Sequence, residues 1–484
     1  MTEFVSTGPP EARRVPAGPA VARRRSAARG GGPGRPGSAG HDVEGPVPGS
    51  SLDQAPVQRD AYRAMALALR VGELLLGSGE ATETVSGSMR RITNAYAVPH
   101  CEADVNLSAI TLSHVPADGR APVTAERRVR RRLPDYDRLI AVHDLVREAS
   151  DGSVPLGEAE ARLKRITRRV PVYPNWFLVT ALALIAASAS LLVGGGARVA
   201  AAAFAATVLG DRASAWLARR GVAEFFQLAV AALLGSLVAV LMIAVDAPVR
   251  ASAVVVGAVV ALLPGRLMVA CVQDGIAGEY VTATGRLFEV FFTLTAVISG
   301  IGLTLYAAVR FGVPLSVENV PVAPLSLRTD QIVGAVGVTL AFAVALLVPP
   351  RYLLQASIGG GLIWVVFVQL ITVWQVPVVL ATAVSATVIG LLGTAYARRA
   401  LIPSLVLTVP AVCPLLPGTA LYRGMLEISL GHPEAGLVSL LQALSTALAL
   451  GAGVILGAEI LRAVTGSEVT KRVLRPAARR TRGY

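Results

Sequence analysis

Hydrophobic and polar positions divide the chain into regions with different patterns. Residues 1–55 are rich in Gly, Pro, Ala, Arg and Ser and show no apolar periodicity, which is typical of a disordered tail. Residues 56–172 combine short apolar stripes with many charged positions, whereas residues from about 175 to 463 form one apolar run after another. Residues 464–484 are again polar and basic. This pattern predicts a small polar domain, a membrane-spanning part and a basic tail.

Two kinds of periodicity occur in the polar region. The stretch YRAMALALRVGELLLGSG places its apolar residues on one helical stripe that ends at Gly77 and Gly79, and TETVSGSMRRITNAYAV predicts a second helix. CEADVNLSAITLSHV changes to alternation, which predicts a strand pair or one bulged strand. YDRLIAVHDLVREA and LGEAEARLKRITRRV predict two further amphipathic helices. We therefore expect residues 56–172 to form a small cytosolic α+β domain.

The apolar region divides into segments that are long enough to cross a hydrocarbon core of about 30 Å. The second segment is interrupted by Asp211 and Arg212, which would lie among the headgroups if that helix ended at Gly210. The sequence predicts a polytopic all-α membrane protein with ten spans, five in residues 173–310 and five in residues 331–463. The expected spans are about 175–194, 197–217, 222–245, 251–271, 282–309, 331–349, 352–373, 376–397, 401–424 and 435–462.

The charge distribution predicts how the chain is oriented. Charged residues make up only 16% of the chain, against roughly 25% in soluble domains, yet the net charge is +13. Arginine collects on the cytoplasmic side of membrane proteins, so we expect both termini in the cytoplasm. This leaves only Arg198, Arg250, Arg310 and Arg328 outside. The inner loops then hold Arg212, Arg219, Arg220, Arg286, Arg351, Arg398 and Arg399.

Motifs for other functions are weak. The basic run at 127–132 could bind nucleic acid, but no aromatic platform accompanies it, so we expect no such partner. Cys101, Cys271 and Cys413 are far apart without a CxxC, which predicts no disulfide framework, metal site or cofactor. The GSG ending at Gly79 lacks the GK[ST] of a phosphate loop, and His143 has no nucleophile beside it. We therefore expect no catalytic residues and no enzyme activity.

A phrase containing LLPG occurs twice in the apolar region. LLPGRLM and CPLLPGTALYRG place Pro264 and Pro417 153 residues apart (417 − 264). Five spans are an odd number, so the second half must be inverted relative to the first. Inverted repeats with Gly/Pro-interrupted helices at matching positions mark secondary transporters. The same offset pairs Gly278 with Gly431, Gly300 with Gly453, Asp274 with Glu427, and Glu289 with Gln442.

Three spaced motifs carry a family resemblance. LRVGELLLGSGEATETVSGSMRRITNAYAV followed by ADVNLSAITLSH resembles the opening domain of the threonine/serine exporter family. VQDGIAGEYVTATGRLFE resembles its loop between the fourth and fifth helices, and ARRALIPSLVLTVPAVCPLLPGTALYRGM resembles its ninth helix. The resemblance implies a ten-helix inner-membrane carrier that exports L-threonine and L-serine in antiport with protons. Two alternatives are a membrane-anchored regulatory or hydrolase-like module working through residues 56–172, and a passive channel. Association into a homo-oligomer stays open.

A carrier for a zwitterion needs acceptors for the ammonium and donors for the carboxylate. A proline frees the carbonyl four residues earlier, here that of Val260 or Cys413, and such a carbonyl could hold an ammonium. The half-helices after the prolines present free N–H groups suited to a carboxylate. Arg423 lies near an outer helix end, where its side chain could extend to the membrane surface or contact the substrate. The alternative for both breaks is a packing kink without a binding role. The expected substrate-binding residues are Pro264, Gly265, Pro417, Gly418, Val260, Cys413 and Arg423.

Proton coupling needs a carboxyl that is charged in one state and neutral in another. Burial favours the neutral form, and the candidates in the apolar region are Asp274, Glu289 and Glu427. Arg286 lies three residues before Glu289 on the same helical face and could neutralise it. The alternative for each acid is a solvated charge at a loop end.

Overall fold

The computed structural model describes residues 56–116, 121–129, 134–244, 251–313 and 327–465. The expected tail at 1–55 lies outside the described residues, as do residues 466–484 of the basic tail and residues 130–132 of the basic run. All described residues belong to one compact unit, Gln54–Tyr484.

The N-terminal part, residues 56–167, contains four helices and one sheet. The helices are α1 (Pro56–Gly77), α2 (Thr82–Ala95), α3 (Tyr136–Ser150) and α4 (Leu156–Thr167). The antiparallel sheet has the order β1 (Cys101–Val105), β2 (Ala109–His114), β3 (Val123–Arg128), with Val105 opposite Ile110 and Ile110 opposite Arg127. The expected strand pair is the β1–β2 hairpin. The third strand was not expected.

The core of the N-terminal part continues into the helices that follow. Met89, Ile110, Leu112 and Tyr136 are fully buried between the helices and the sheet. The same core includes residues of the later apolar helices: Ala343, Leu346, Val348, Ala356, Leu405, Val406, Leu407 and Val409. The N-terminal part therefore packs on one end of the helix bundle, which we call the contact end. The opposite end is called the far end.

Helices occupy the positions of all ten expected spans. They are α5 (Asn175–Leu192), α6 (Ala197–Arg219), α7 (Glu224–Ala244), α8 (Ala251–Leu262), α9 (Gly265–Ala277), α10 (Tyr280–Arg310), α11 (Thr329–Ala345), α12 (Pro350–Thr372), α13 (Val378–Ala400), α14 (Leu405–Val412), α15 (Gly418–Ser429) and α16 (Pro433–Thr465). A 3₁₀ turn, Cys413–Leu415, follows α14.

By length and composition, seven of these segments can cross a membrane, or eight if the bent pair α8–α9 is one span. The chain is therefore a multi-pass membrane protein, and the number ten remains a prediction. The two remaining segments are α6, which runs unbroken through Asp211 and Arg212, and α11, which has only 17 residues. Helix α6 itself continues past Gly210 to Arg219, and the position of Asp211 and Arg212 relative to the headgroups stays a prediction.

Helix packing in residues 175–310 is repeated in residues 329–465. Each contact between two helices of the first set has a counterpart in the second. Helices α5 to α10 correspond in order to helices α11 to α16. Thus α5–α6 matches α11–α12; α5–α8 matches α11–α14; α6–α7 matches α12–α13; α6–α8 matches α12–α14; α7–α8 matches α13–α14; α7–α10 matches α13–α16; and α9–α10 matches α15–α16. Contacts between the sets are also reciprocal, because α10 packs on α15 and α16 packs on α9.

Candidate functional site

Two broken helices lie at the centre of the bundle. The break between α8 and α9 bends the chain by 52°, and the second break follows the 3₁₀ turn after α14. Pro264 has φ −81° and ψ 56°, and Pro417 has φ −79° and ψ 45°. At each break the next glycine's N–H donates to the carbonyl before the proline, at 2.9 Å in the first and 2.8 Å in the second. Both prolines therefore form the same inverse γ-turn.

The two carbonyls that the prolines were expected to free each accept a hydrogen bond in the structure. The carbonyl of Val260 accepts from the N–H of Leu263 at 3.3 Å, and that of Cys413 accepts from the N–H of Leu416 at 3.1 Å. These three-residue bonds replace the four-residue helical bonds that each proline removes. A carbonyl oxygen has two lone pairs, so each keeps one acceptor position.

The two breaks touch one another. A Cβ atom added at Gly265 would lie 3.2 Å from the Leu416 side chain. A Cβ added at Gly418 would lie 2.6 Å from Cγ2 of Val260, closer than carbon atoms normally approach. The glycines after the prolines therefore permit a close approach between α8–α9 and α14–α15, which explains why glycine follows proline in both copies.

A cavity of about 420 Å³ adjoins the second break. Its volume lies within the range of small-molecule sites. Of the expected substrate-binding residues, Val260, Pro417 and Arg423 line it, while Pro264, Gly265, Gly418 and Cys413 do not. Residues that the sequence did not single out complete the lining; they include Trp364, Phe367, Thr382, Thr419, Gln442 and Thr446.

The cavity lies towards the far end of the bundle. Helix α5 begins beside Tyr173, whose hydroxyl donates to the carbonyl of Val348 at the contact end. Leu192 and Val193, at the other end of α5, line the cavity, as does Val378 at the start of α13. We call this space the far-end cavity.

Asp274 is fully buried at the contact end and belongs to a network that reaches the N-terminal part. Its Oδ1 accepts from the N–H and the hydroxyl of Thr82, both at 3.1 Å, so the carboxylate caps the first turn of α2. Its Oδ2 lies 2.9 Å from Nη1 of Arg286, in an ionic contact without hydrogen-bond alignment. Arg286 also donates to the carbonyl of Glu80, whose side chain bonds to His143.

Glu427 occupies the equivalent position in the second half and is also buried. It accepts from Nε of Arg423 at 2.8 Å and from the hydroxyl of Ser439 at 2.7 Å. Ser439 follows Glu427 by the same twelve residues by which Arg286 follows Asp274. The two acids are therefore bonded from the same position of the next helix, by an arginine in one half and a serine in the other.

Glu289 lies apart from both acids. It lines a smaller pocket of about 160 Å³, together with Arg266 and Arg286, where α9 and α10 meet the N-terminal part. Arg286 forms its ion pair with Asp274 and also lines the pocket beside Glu289, so its neutralisation of Glu289 stays a prediction. Beside these residues, burial and the charges of Asp274, Asp104 and Glu83 raise the pKa of Glu279 above its usual value.

Groups suited to metal binding or nucleophilic catalysis are not assembled in the described ranges. Among those residues no three His, Cys, Asp or Glu side chains could hold a metal ion, and the three cysteines are buried with free thiols. His143 bonds to Glu80 at 3.0 Å rather than to a nucleophile.

Comparisons with known proteins cover almost all of this architecture. A family profile described as "Putative threonine/serine exporter" matches residues 66–307, and a second, "Threonine/Serine exporter, ThrE", matches residues 331–460. A "Probable threonine/serine exporter" of Mycobacterium tuberculosis (strain ATCC 25618 / H37Rv) is 30% identical over 405 residues, 82% of this chain and 76% of the relative. A "Threonine/serine exporter" of Corynebacterium glutamicum is 30% identical over 404 residues, 82% of each chain. No solved structure matches. The two profiles divide the chain between α10 and α11, and the chain belongs to the threonine/serine exporter family.

Proposed function

We propose that the protein is a secondary active transporter that exports small hydroxy amino acids, L-threonine and L-serine, across the inner membrane in antiport with protons. The observation that carries this proposal is the pair of equivalent helix breaks in contact beside a cavity, each followed by a buried acid. Relatives named as threonine/serine exporters support the substrate class. A membrane anchor has no need of such breaks, and a passive channel has no need of buried acids.

We propose that the ten helical segments form a 5+5 inverted repeat. The equal turns at Pro264 and Pro417 support it, as do the left-handed glycines Gly278 (φ 88°) and Gly431 (φ 91°) at the ends of the short helices. The N–H of the next residue donates to the carbonyl of the acid at 2.9 Å in both halves. If the repeat is correct, α6 and α11 also cross the membrane, because the helices that pack against them form matching pairs in the two halves.

The far-end cavity is proposed as the amino-acid site. Arg423 and the N–H groups of Thr419 and Ala420, in the first turn of α15, would bind the carboxylate. The remaining lone pair at the carbonyl of Val260, which lines this cavity, would accept from the ammonium. Gln442 and Thr446 are suited to the substrate hydroxyl, which explains a preference for threonine and serine.

Glu427 is proposed as the proton carrier of the far end. It bonds directly to Arg423, so protonation of the carboxyl would release the arginine towards the cavity. One proton moving down 100 mV supplies about 2.3 kcal/mol, which corresponds to roughly a fiftyfold amino-acid gradient. One proton per amino acid would therefore suffice for export.

The contact end is proposed to face the cytoplasm. There the N–H of Tyr136 donates to the carbonyl of Leu346, just before Arg351. The side chain of Arg147 donates to the carbonyl of Leu401, just after Arg399. These are the positions that the arginine distribution assigns to the inner side. The domain division at residues 56–172, 173–310 and 331–463, with cytoplasmic termini, follows from this orientation.

Transport in inside-out vesicles tests the proposal. Labelled threonine should accumulate when the lumen is made acidic, and accumulation should stop when the proton gradient is collapsed. Unlabelled threonine or serine inside the vesicles should exchange with labelled threonine without any gradient. A passive channel would give flux that does not saturate, and a membrane-anchored module would give none.

A further inference from the structure

The pocket of about 160 Å³ at the contact end has walls of two origins. One wall comes from α9 and α10 and includes Arg266, Leu267 and Glu289. The other comes from the N-terminal part, from the turn after α1 and from Leu107 between β1 and β2. We call this space the contact-end pocket.

Its membrane-helix wall corresponds to the wall of the far-end cavity. The offset of 153 residues converts Arg266 into Thr419, Leu267 into Ala420 and Glu289 into Gln442. All three of these second-half residues line the far-end cavity. The contact-end pocket is therefore the equivalent of that cavity in the first half, with less than half of its volume.

The N-terminal part accounts for the smaller volume. Gly79, in a left-handed conformation with φ 93°, packs so closely on Arg266 that an added Cβ would lie 2.1 Å from Nη1. Leu107 packs on Gly285 of α10, where an added Cβ would lie 2.8 Å from Cδ2 of the leucine. At the far end Arg423 is half exposed, and among the described residues no soluble segment of the chain lines the cavity.

Polar bonds hold the same segment to the same two helices. Thr82 donates twice to Asp274 of α9, and the carbonyl of Glu80 accepts from Arg286 of α10. The ion pair between Asp274 and Arg286 lies within the membrane helices and needs no part of the segment. The segment can therefore withdraw while each buried charge keeps its partner of opposite sign.

We propose that residues 76–82, together with Leu107, form the inner gate of the transport path. This inference rests on the proposed function. With the gate in place the far-end cavity has room for a small ligand, whereas the N-terminal part occupies much of the corresponding space at the contact end. Withdrawal of the gate exposes Arg266 and the first turn of α9, which receive the carboxylate of a cytosolic amino acid.

A reversible cross-link tests the gate directly. A Cβ added at Gly285 lies 3.8 Å from Cβ of Leu107, which matches the spacing in disulfides. Leu107→Cys combined with Gly285→Cys should transport threonine when reduced, lose at least tenfold in rate when oxidised, and recover with reductant. A fully oxidised protein that transports at the reduced rate would overturn the gate.

A second disulfide serves as the matched control. Ser113 and Thr124 face each other across β2 and β3, with side-chain oxygens 2.9 Å apart, and both belong to the N-terminal part. Ser113→Cys combined with Thr124→Cys should leave transport unchanged by oxidation. A loss equal to that of the gate cross-link would show that stiffening of the sheet is responsible and would overturn the proposal.

Chemical labelling separates failure of the gate from failure of the proposed function. Leu267→Cys should react slowly with a membrane-impermeant maleimide added to the cytoplasmic face of inside-out vesicles. Adding Thr82→Val, which removes one bond to Asp274, should increase the reaction severalfold. An unchanged rate would overturn the gate, and this readout does not depend on threonine being the substrate.

Discussion

At the scale of single residues, the glycine after each proline determines how closely the two breaks pack. Gly418→Ala would place a methyl group 2.6 Å from Cγ2 of Val260, whereas Gly265→Ala would meet Leu416 at 3.2 Å. Overpacking of this kind costs about 1–3 kcal/mol. We expect Gly418→Ala to lower both the melting temperature in detergent and the transport rate, and Gly265→Ala to have the smaller effect. Combining Gly418→Ala with Val260→Ala should restore stability; no recovery would contradict the contact.

Two acids that look equivalent in sequence differ in what surrounds them. Glu427 is bonded to a half-exposed arginine and a serine, so its neutralisation leaves Arg423 in contact with water. We expect Glu427→Gln to fold normally, to retain threonine exchange, and to lose the roughly fiftyfold accumulation that one proton would drive. Exchange and gradient-driven uptake in the same vesicles measure this. Full accumulation in Glu427→Gln would eliminate this residue as the proton carrier.

Asp274 should behave differently because its partner is buried. Asp274→Asn removes the carboxylate that pairs with the buried guanidinium of Arg286, and removing one member of a buried pair costs about 3–5 kcal/mol. We expect poor recovery of folded protein from Asp274→Asn. Replacing both residues, with Asp274→Asn and Arg286→Gln, should recover part of the loss. If the double variant were no better folded than the single one, the loss of the Asp274–Arg286 ion pair would not be the cause of the poor recovery.

At the scale of elements, hydrophobic periodicity predicted the helices, whose positions are determined by the local sequence. Helices were expected at all ten apolar positions and are found there, because apolar runs of this length are helical in lipid. Strand β3, with the sequence VTAERR, was missed because polar side chains occupy both of its faces. The prolines predicted both breaks, but the 52° bend depends on packing with neighbouring helices. The bonds from Thr82 to Asp274 join residues 192 positions apart, which no local pattern encodes.

Two glycines of α10 provide a matched test of helix packing. A Cβ added at Gly300 would lie 2.2 Å from the carbonyl oxygen of Ala229 in α7. A Cβ added at Gly302 would meet only the terminal methyl of Met425, which can move. We expect Gly300→Ala to cost 1–3 kcal/mol or more, as an order of magnitude, and Gly302→Ala to be close to neutral. Melting temperatures in detergent compare them, and equal values would contradict the packing of α7 on α10.

At the scale of the whole molecule, the two halves repeat one architecture but end in different surroundings. The first half has the N-terminal part packed over its break, and the second half has a larger cavity beside its break with a half-exposed arginine. A carrier with alternating access needs one side closed while the other is open. If the protein is the proposed carrier, this asymmetry corresponds to a state in which the amino acid leaves from the far end.

This state predicts which cysteine variants can be labelled from outside. Thr382 lines the far-end cavity, whereas Thr387 lies further along α13, outside the cavity lining. In whole cells, Thr382→Cys should react with an impermeant maleimide and Thr387→Cys should not, because only the first is reached from the far end. Threonine at saturating concentration should slow the Thr382→Cys reaction severalfold, while an amino acid that the protein does not transport should not. Labelling of Thr382→Cys from the cytoplasmic face alone would mean that the cavity opens on the other side and that the orientation must be reversed. Equal labelling of both variants in whole cells would mean that access from outside is not confined to the cavity.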